Sequence, residues 1–81
     1  MAWEFEPVAG PFNFTEGPVW DGSTVLFSDM PSATIQRYDP TTQQTSVFAT
    51  ETGAANGLKF DRHGRLYACE MVDRRVTRYT A

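Results

Sequence analysis

One phrase of this chain is written twice. The stretch TEGPVWDG, residues 15 to 22, returns forty residues later as ANGLKFDR, residues 55 to 62. At that offset Gly17 matches Gly57, Asp21 matches Asp61 and Leu26 matches Leu66, while Trp20 meets Phe60 and Phe27 meets Tyr67, aromatic for aromatic. Past Cys69 the offset that aligns the copies becomes forty-one, so a one-residue insertion is expected there. Asp29 then matches Glu70, Met30 matches Met71, Ile35 matches Val76, Arg37 matches Arg78 and Tyr38 matches Tyr79. A period of this length limits the chain to architectures that stack one supersecondary unit against the next.

The unit is made of strands. WEFE (3–6), TIQRYD (34–39) and RVTRYT (75–80) alternate with a period of two, and VLFS (25–28), TSVFA (45–49) and RLYA (65–68) are short runs rich in β-branched and aromatic residues. Between them lie WDGS, DMPS, DPTT, ETGAANG and DRHG, all turn chemistry. No segment carries apolar residues at helical spacing. The chain is therefore expected to be all-β, with strands near 17–20, 24–29, 34–39 and 44–49, then 57–60, 65–70 and 75–80. About four strands per forty residues is the signature of a β-propeller blade. The expected organisation is a closing strand at 3–8, a first blade at 16–50 and an incomplete second blade at 56–81. Propeller blades bury their faces only against other blades. The chain is thus expected to be the N-terminal piece of a longer protein or a subunit that assembles with copies of itself.

Composition narrows the function classes. At 41% hydrophobic and 14% aromatic residues the chain is globular material, not a disordered tail. A net charge of −3 supplies no basic field for a nucleic acid. The single cysteine, Cys69, rules out a disulfide framework and a cysteine-rich zinc site. The opening MAWEFEPVAG has neither a basic n-region nor an apolar run, which predicts no signal peptide, no membrane span and a cytoplasmic location. In such a chain the NFT sequon at 13–15 is read as accidental.

The words EGPVWD and LFSDMPSATIQRYDP in the first copy, and ANGLKFDRHGRLYACEMVDRRVTR in the second, resemble the gluconolactonase / senescence-marker-protein (regucalcin) family of lactone hydrolases, over about residues 14 to 81. The resemblance implies a six-bladed propeller with one divalent ion in its central channel, calcium foremost, with zinc, magnesium or manganese as alternatives. It implies that Glu16, in the EGP turn, is a metal ligand and that Asn56 lines the pocket and binds substrate, a small sugar-type lactone. The family's later Asn and Asp ligands, the Asp also its proposed catalytic base, have no counterpart in this chain. The chain alone is then expected to be inactive, and to aggregate or partly unfold; a ring of three two-bladed chains is the less favoured alternative.

Physical reasoning supports that placement. Glu16 and Asn56 each stand just before the expected innermost strand of a blade, where equivalent turns surround one mouth of the channel. A carboxylate with amide oxygens makes a hard site suited to Ca²⁺ or Mg²⁺. Plainer readings stand beside it: Glu16 as a solvated acid, Asn56 as a turn residue tolerant of positive φ, and the whole as a non-catalytic propeller segment used for binding or assembly. Asp21 and Asp61 are expected to anchor turns, and Glu70 to be a framework residue. His63 should be exposed and inert, Cys69 a small buried strand residue, and Arg74, Arg75 and Arg78 a solvated or blade-edge face. The WD pair at 20–21 follows a first strand instead of ending a blade, so it carries no weight.

Overall fold

Seven strands form where β-branched and aromatic residues alternate with polar ones, and each break falls on turn chemistry. In the computed structural model, which describes residues 2–80, they are β1 (Thr15–Trp20), β2 (Val25–Asp29), β3 (Thr34–Asp39), β4 (Gln44–Ala49), β5 (Ala55–Phe60), β6 (Leu66–Glu70) and β7 (Arg75–Tyr79). They pair antiparallel as two sheets, β1-β2-β3-β4 and β5-β6-β7. The seven strands expected from residue 17 onward all appear, shifted by at most two residues at an end. A short 3-10 turn at Met30–Ser32, with Pro31 in its first turn and closed by Ala33 in the left-handed region, was not foreseen. Ala81, assigned to the second blade, lies outside the described residues.

The pairing corrects the position of the insertion. In the first sheet Leu26 pairs with Arg37 and Val25 with Tyr38. In the second, Tyr67 pairs with Arg78 and Leu66 with Tyr79. Leu26 is therefore equivalent to Tyr67, Phe27 to Ala68, and Ser28 to Cys69, so the offset is already forty-one throughout β6. The extra residue sits in the β5–β6 turn, which is one residue longer than the β1–β2 turn. The Leu26–Leu66 match misled because two leucines aligned by chance on opposite faces of their sheets, and a one-residue slip in a strand exchanges its faces.

With that register the two faces of each sheet separate. Leu26, Ser28 and Ile35 lie on the downstream face of the first sheet, and Leu66, Ala68 and Tyr79 on the upstream face of the second. They meet in a core completed by Ala55 and Leu58, with Phe48 and Phe60 packed against it. Leu26 is 1% exposed and Ile35 is fully buried, each contributing roughly 1.5–3 kcal/mol by leaving water. The rings of Phe48 and Tyr79 meet edge-on at 6.3 Å.

Two expectations fail for one physical reason. Cys69, placed in the interior by its sequence, is exposed. Its equivalent Ser28 is buried because the second sheet covers it; nothing in the described residues covers Cys69. The strand expected at 3–8 does not form either: Trp3 and Phe5 are 83% and 94% exposed and no strand precedes Thr15. A strand needs a ladder to satisfy its backbone groups, and residues 3–8 pair with no strand of either sheet.

Candidate functional site

Glu16 and Asn56 sit one residue into β1 and β5, inside the inner strands and not ahead of them. Both strands bulge at this point. The pairing jumps from Glu16–Ser28 to Val19–Leu26 in the first sheet and from Ala55–Glu70 to Leu58–Ala68 in the second, one extra residue on the inner strand each time. Bulges of this kind re-aim side chains beside functional sites. Here they repeat at equivalent positions, so the two side chains occupy corresponding places along neighbouring inner strands.

Gly17 sets the distance between those strands. Its φ is +57°, and a Cβ there would overlap the Asn56 carbonyl oxygen and lie 3.1 Å from the Leu58 amide nitrogen. The backbone directly after Glu16 therefore touches the backbone of Asn56, which only glycine permits. Glu16 is half-buried and Asn56 exposed. Glu16 also borders a cavity of about 450 Å³, walled by Val8, Phe12, Pro18, Phe27 and Tyr38. Phe12 stands edge-on to Phe27 at 5.1 Å. The sequence did not single out Phe12, which lies ahead of β1 in no recognised motif.

The remaining polar residues hold the frame, as expected of Asp21, Asp61 and Glu70. Asp21 accepts hydrogen bonds from the Ser23 and Thr24 amides and the Thr24 hydroxyl. Partial burial opposes its ionisation, but these bonds and the charge of Arg37 outweigh it and hold its pKa below the ordinary value. Asp61 accepts from the His63 and Arg65 amides, the Arg65 guanidinium at 2.7 Å and the Tyr67 hydroxyl at 3.0 Å. Burial again opposes ionisation and the bonds again prevail, keeping this carboxyl far below the usual range. Glu70 is buried; the Thr77 hydroxyl first, and Arg75 at 2.8 Å, lower its pKa against the effect of burial. His63 is exposed, as expected.

These carboxyls make stability pH-dependent. A pKa lower in the folded than in the unfolded chain stabilises the fold above the unfolded value and loses that contribution as pH falls through the folded one. The ordinary values are 3.8 for Asp61 and 4.5 for Glu70. The melting temperature is therefore expected to hold steady above about pH 5 and to fall continuously below about pH 4. Asp61→Asn with Glu70→Gln should flatten that slope. An acid limb unchanged by the double substitution would assign it to other groups.

Among the described residues no three His, Cys, Asp or Glu side chains converge on a point. Glu16 and Asn56 offer one carboxylate and one amide at this edge, hard oxygen donors that fit a calcium-like ion. Such an ion takes roughly six to eight oxygens, so the chain supplies only part of a shell.

Residues 14–81 match the family model described as the SMP-30/Gluconolactonase/LRE-like region. A comparison with curated proteins found no match. Among solved structures the chain is similar to an X-ray structure of a candidate gluconolactonase, with 30% identity and a TM-score of 0.82. The match covers 91% of this chain and 26% of that one, so the chain spans about a quarter of that protein's length. The two successive antiparallel sheets correspond to part of its propeller. With the family match running over almost the whole sequence and the fold agreeing with it, the chain belongs to the SMP-30/gluconolactonase/LRE-like family.

Proposed function

We propose that the chain is the N-terminal portion of a metal-dependent hydrolase of small sugar-type lactones, gluconolactone among them. The observation that carries this reading is the repeated bulge. In a chain of this family it brings Glu16 and Asn56 to corresponding places on adjacent inner strands, with Gly17 against Asn56. Glu16 would serve as one ligand of a divalent ion, calcium foremost. Asn56, whose amide both donates and accepts, would hold the lactone's hydroxyl or ring oxygens. An ion so held supplies polarisation of the lactone carbonyl and acidification of a water. The half-burial of Glu16 beside an apolar wall strengthens its attraction for a cation relative to a fully solvated acid.

The test is lactone hydrolysis, followed by acid release, in the complete enzyme before and after treatment with a chelator. Activity is expected to disappear with the metal and return when calcium is added back. The 81-residue chain, kept dilute enough to be a verified monomer, is expected neither to hydrolyse the lactone nor to bind calcium at micromolar concentration, because it carries a single carboxylate ligand. Chelator-resistant turnover, or tight binding by the monomer, would remove this reading.

A further inference from the structure

We propose that Asp29 is a positioning residue for the metal site: its carboxylate clamps the backbone at Phe14 and so fixes where Glu16 points. The proposal rests on Glu16 being a ligand of the divalent ion.

The clamp has two parts. Asp29 ends β2 and is 5% exposed. Its Oδ1 accepts a hydrogen bond from the Phe14 amide at 2.9 Å, across fifteen residues of chain. The Phe14 carbonyl in turn accepts from the Met30 amide at 3.1 Å. Both polar backbone groups of Phe14 are thus tied to the end of β2, one through a side chain and one through the backbone. Glu16 follows two residues later. Beyond Glu16 the ladder is interrupted: the bulge holds Gly17 and Pro18, and pairing resumes only at Val19. Pro18 has no amide hydrogen to give. Regular pairing therefore holds Glu16 from its N-terminal side, through Thr15 opposite Asp29 and the clamp on Phe14.

The carboxylate of Asp29 is itself held in place. Its Oδ2 accepts from the Ser32 hydroxyl at 3.2 Å. Ser32 Oγ lies 2.7 Å from Thr34 Oγ1, which accepts from Gln36 Nε2 at 3.0 Å. One oxygen is thus engaged by the 3-10 turn, which leaves the other aimed at Phe14.

The second copy of the repeat keeps half of this arrangement. Ala54 and Met71 are the equivalents of Phe14 and Met30, and the Met71 amide donates to the Ala54 carbonyl at 3.2 Å, so the backbone half recurs. The carboxylate half does not. Glu70, the equivalent of Asp29, directs its carboxylate to Thr77 and Arg75 on β7. A brace required by the fold alone would be expected in both sheets. The side-chain clamp instead accompanies the copy whose inner strand carries Glu16, and not the copy that carries Asn56. Groups that orient a metal ligand typically contribute about 10–100-fold in metal affinity.

In the complete enzyme Asp29→Ala is expected to weaken calcium binding by about 10–100-fold in titration calorimetry. Turnover should recover as calcium is raised, because the ligand is displaced and not lost. Asp29→Asn keeps an oxygen able to accept from the Phe14 amide, and it should restore calcium affinity to near the wild-type value. Added to Glu16→Gln, Asp29→Ala should weaken binding little further, because the clamp acts through the Glu16 carboxylate. A purely structural role would lower the melting temperature of the metal-free enzyme and leave calcium affinity, measured well below that temperature, unchanged. Unchanged affinity in Asp29→Ala, a loss in Asp29→Asn equal to that in Asp29→Ala, or additive losses in the double variant would each overturn the proposal. If Glu16→Gln alone leaves calcium affinity intact, Glu16 is no ligand and the metal reading falls together with this inference. If Glu16→Gln weakens binding and Asp29→Ala does not, only the positioning role falls.

Discussion

In the complete enzyme Glu16→Gln is expected to lower both calcium affinity and lactone turnover by about 100-fold or more. Loss of a residue that merely orients a metal ligand typically costs about 10–100-fold, and a direct ligand should cost at least as much. The substitution keeps the shape of the side chain and one carbonyl oxygen, so β1 and its bulge should survive. It removes the negative charge of the carboxylate that β1 places beside the Asn56 strand. Among the described residues Glu16 enters no ion pair whose loss would complicate the result. A titration calorimeter and a rate assay read the two effects separately. A metal ligand must show both. An acid that acts only on the lactone would lose turnover with calcium affinity intact, and that outcome would move Glu16 from the metal to the substrate.

Much of this architecture was legible because the repeat wrote it twice. Strand positions followed from alternation and turn residues, and the turn-anchoring roles of Asp21 and Asp61 followed from their place at the head of DGS and DRHG. Facing was harder. Leu26 and Leu66 look equivalent, yet they point toward each other across one core from different sheets, because an extra residue in the β5–β6 turn changes which face each position occupies. Sequence similarity weighs residue type, whereas pairing obeys the count of residues between turns. Cys69 failed for a related reason: its type predicts burial, but burial depends on a neighbouring sheet. At the site, the repeat identified Glu16 and Asn56 as corresponding positions, while the bulges that aim them and the backbone contact between them became visible only with the pairing.

Gly17→Ala is expected to destabilise the 81-residue chain by about 2–5 kcal/mol, against under about 1 kcal/mol for Gly57→Ala, both measured by urea unfolding at a concentration where the chain is verified to be monomeric. Two costs meet at Gly17. Holding alanine in the left-handed region costs roughly 1–2 kcal/mol. Its methyl group would also drive into the Asn56 carbonyl, and overpacking of this kind costs roughly 1–3 kcal/mol. The neighbour is strand backbone, so it cannot rotate away as a side chain would. The inner strands must part, carrying Val19 and Leu58 away from the core. At Gly57 neither cost applies: the space is open and the φ lies outside the left-handed region. Any loss there is offset by the smaller entropy of the unfolded alanine chain, roughly 0.4–1 kcal/mol. The same parting of β1 from β5 would separate Glu16 from Asn56, so in the complete enzyme Gly17→Ala should reduce turnover even below its melting temperature. Equal effects at the two glycines would mean that Gly17 does not set the spacing of the inner strands.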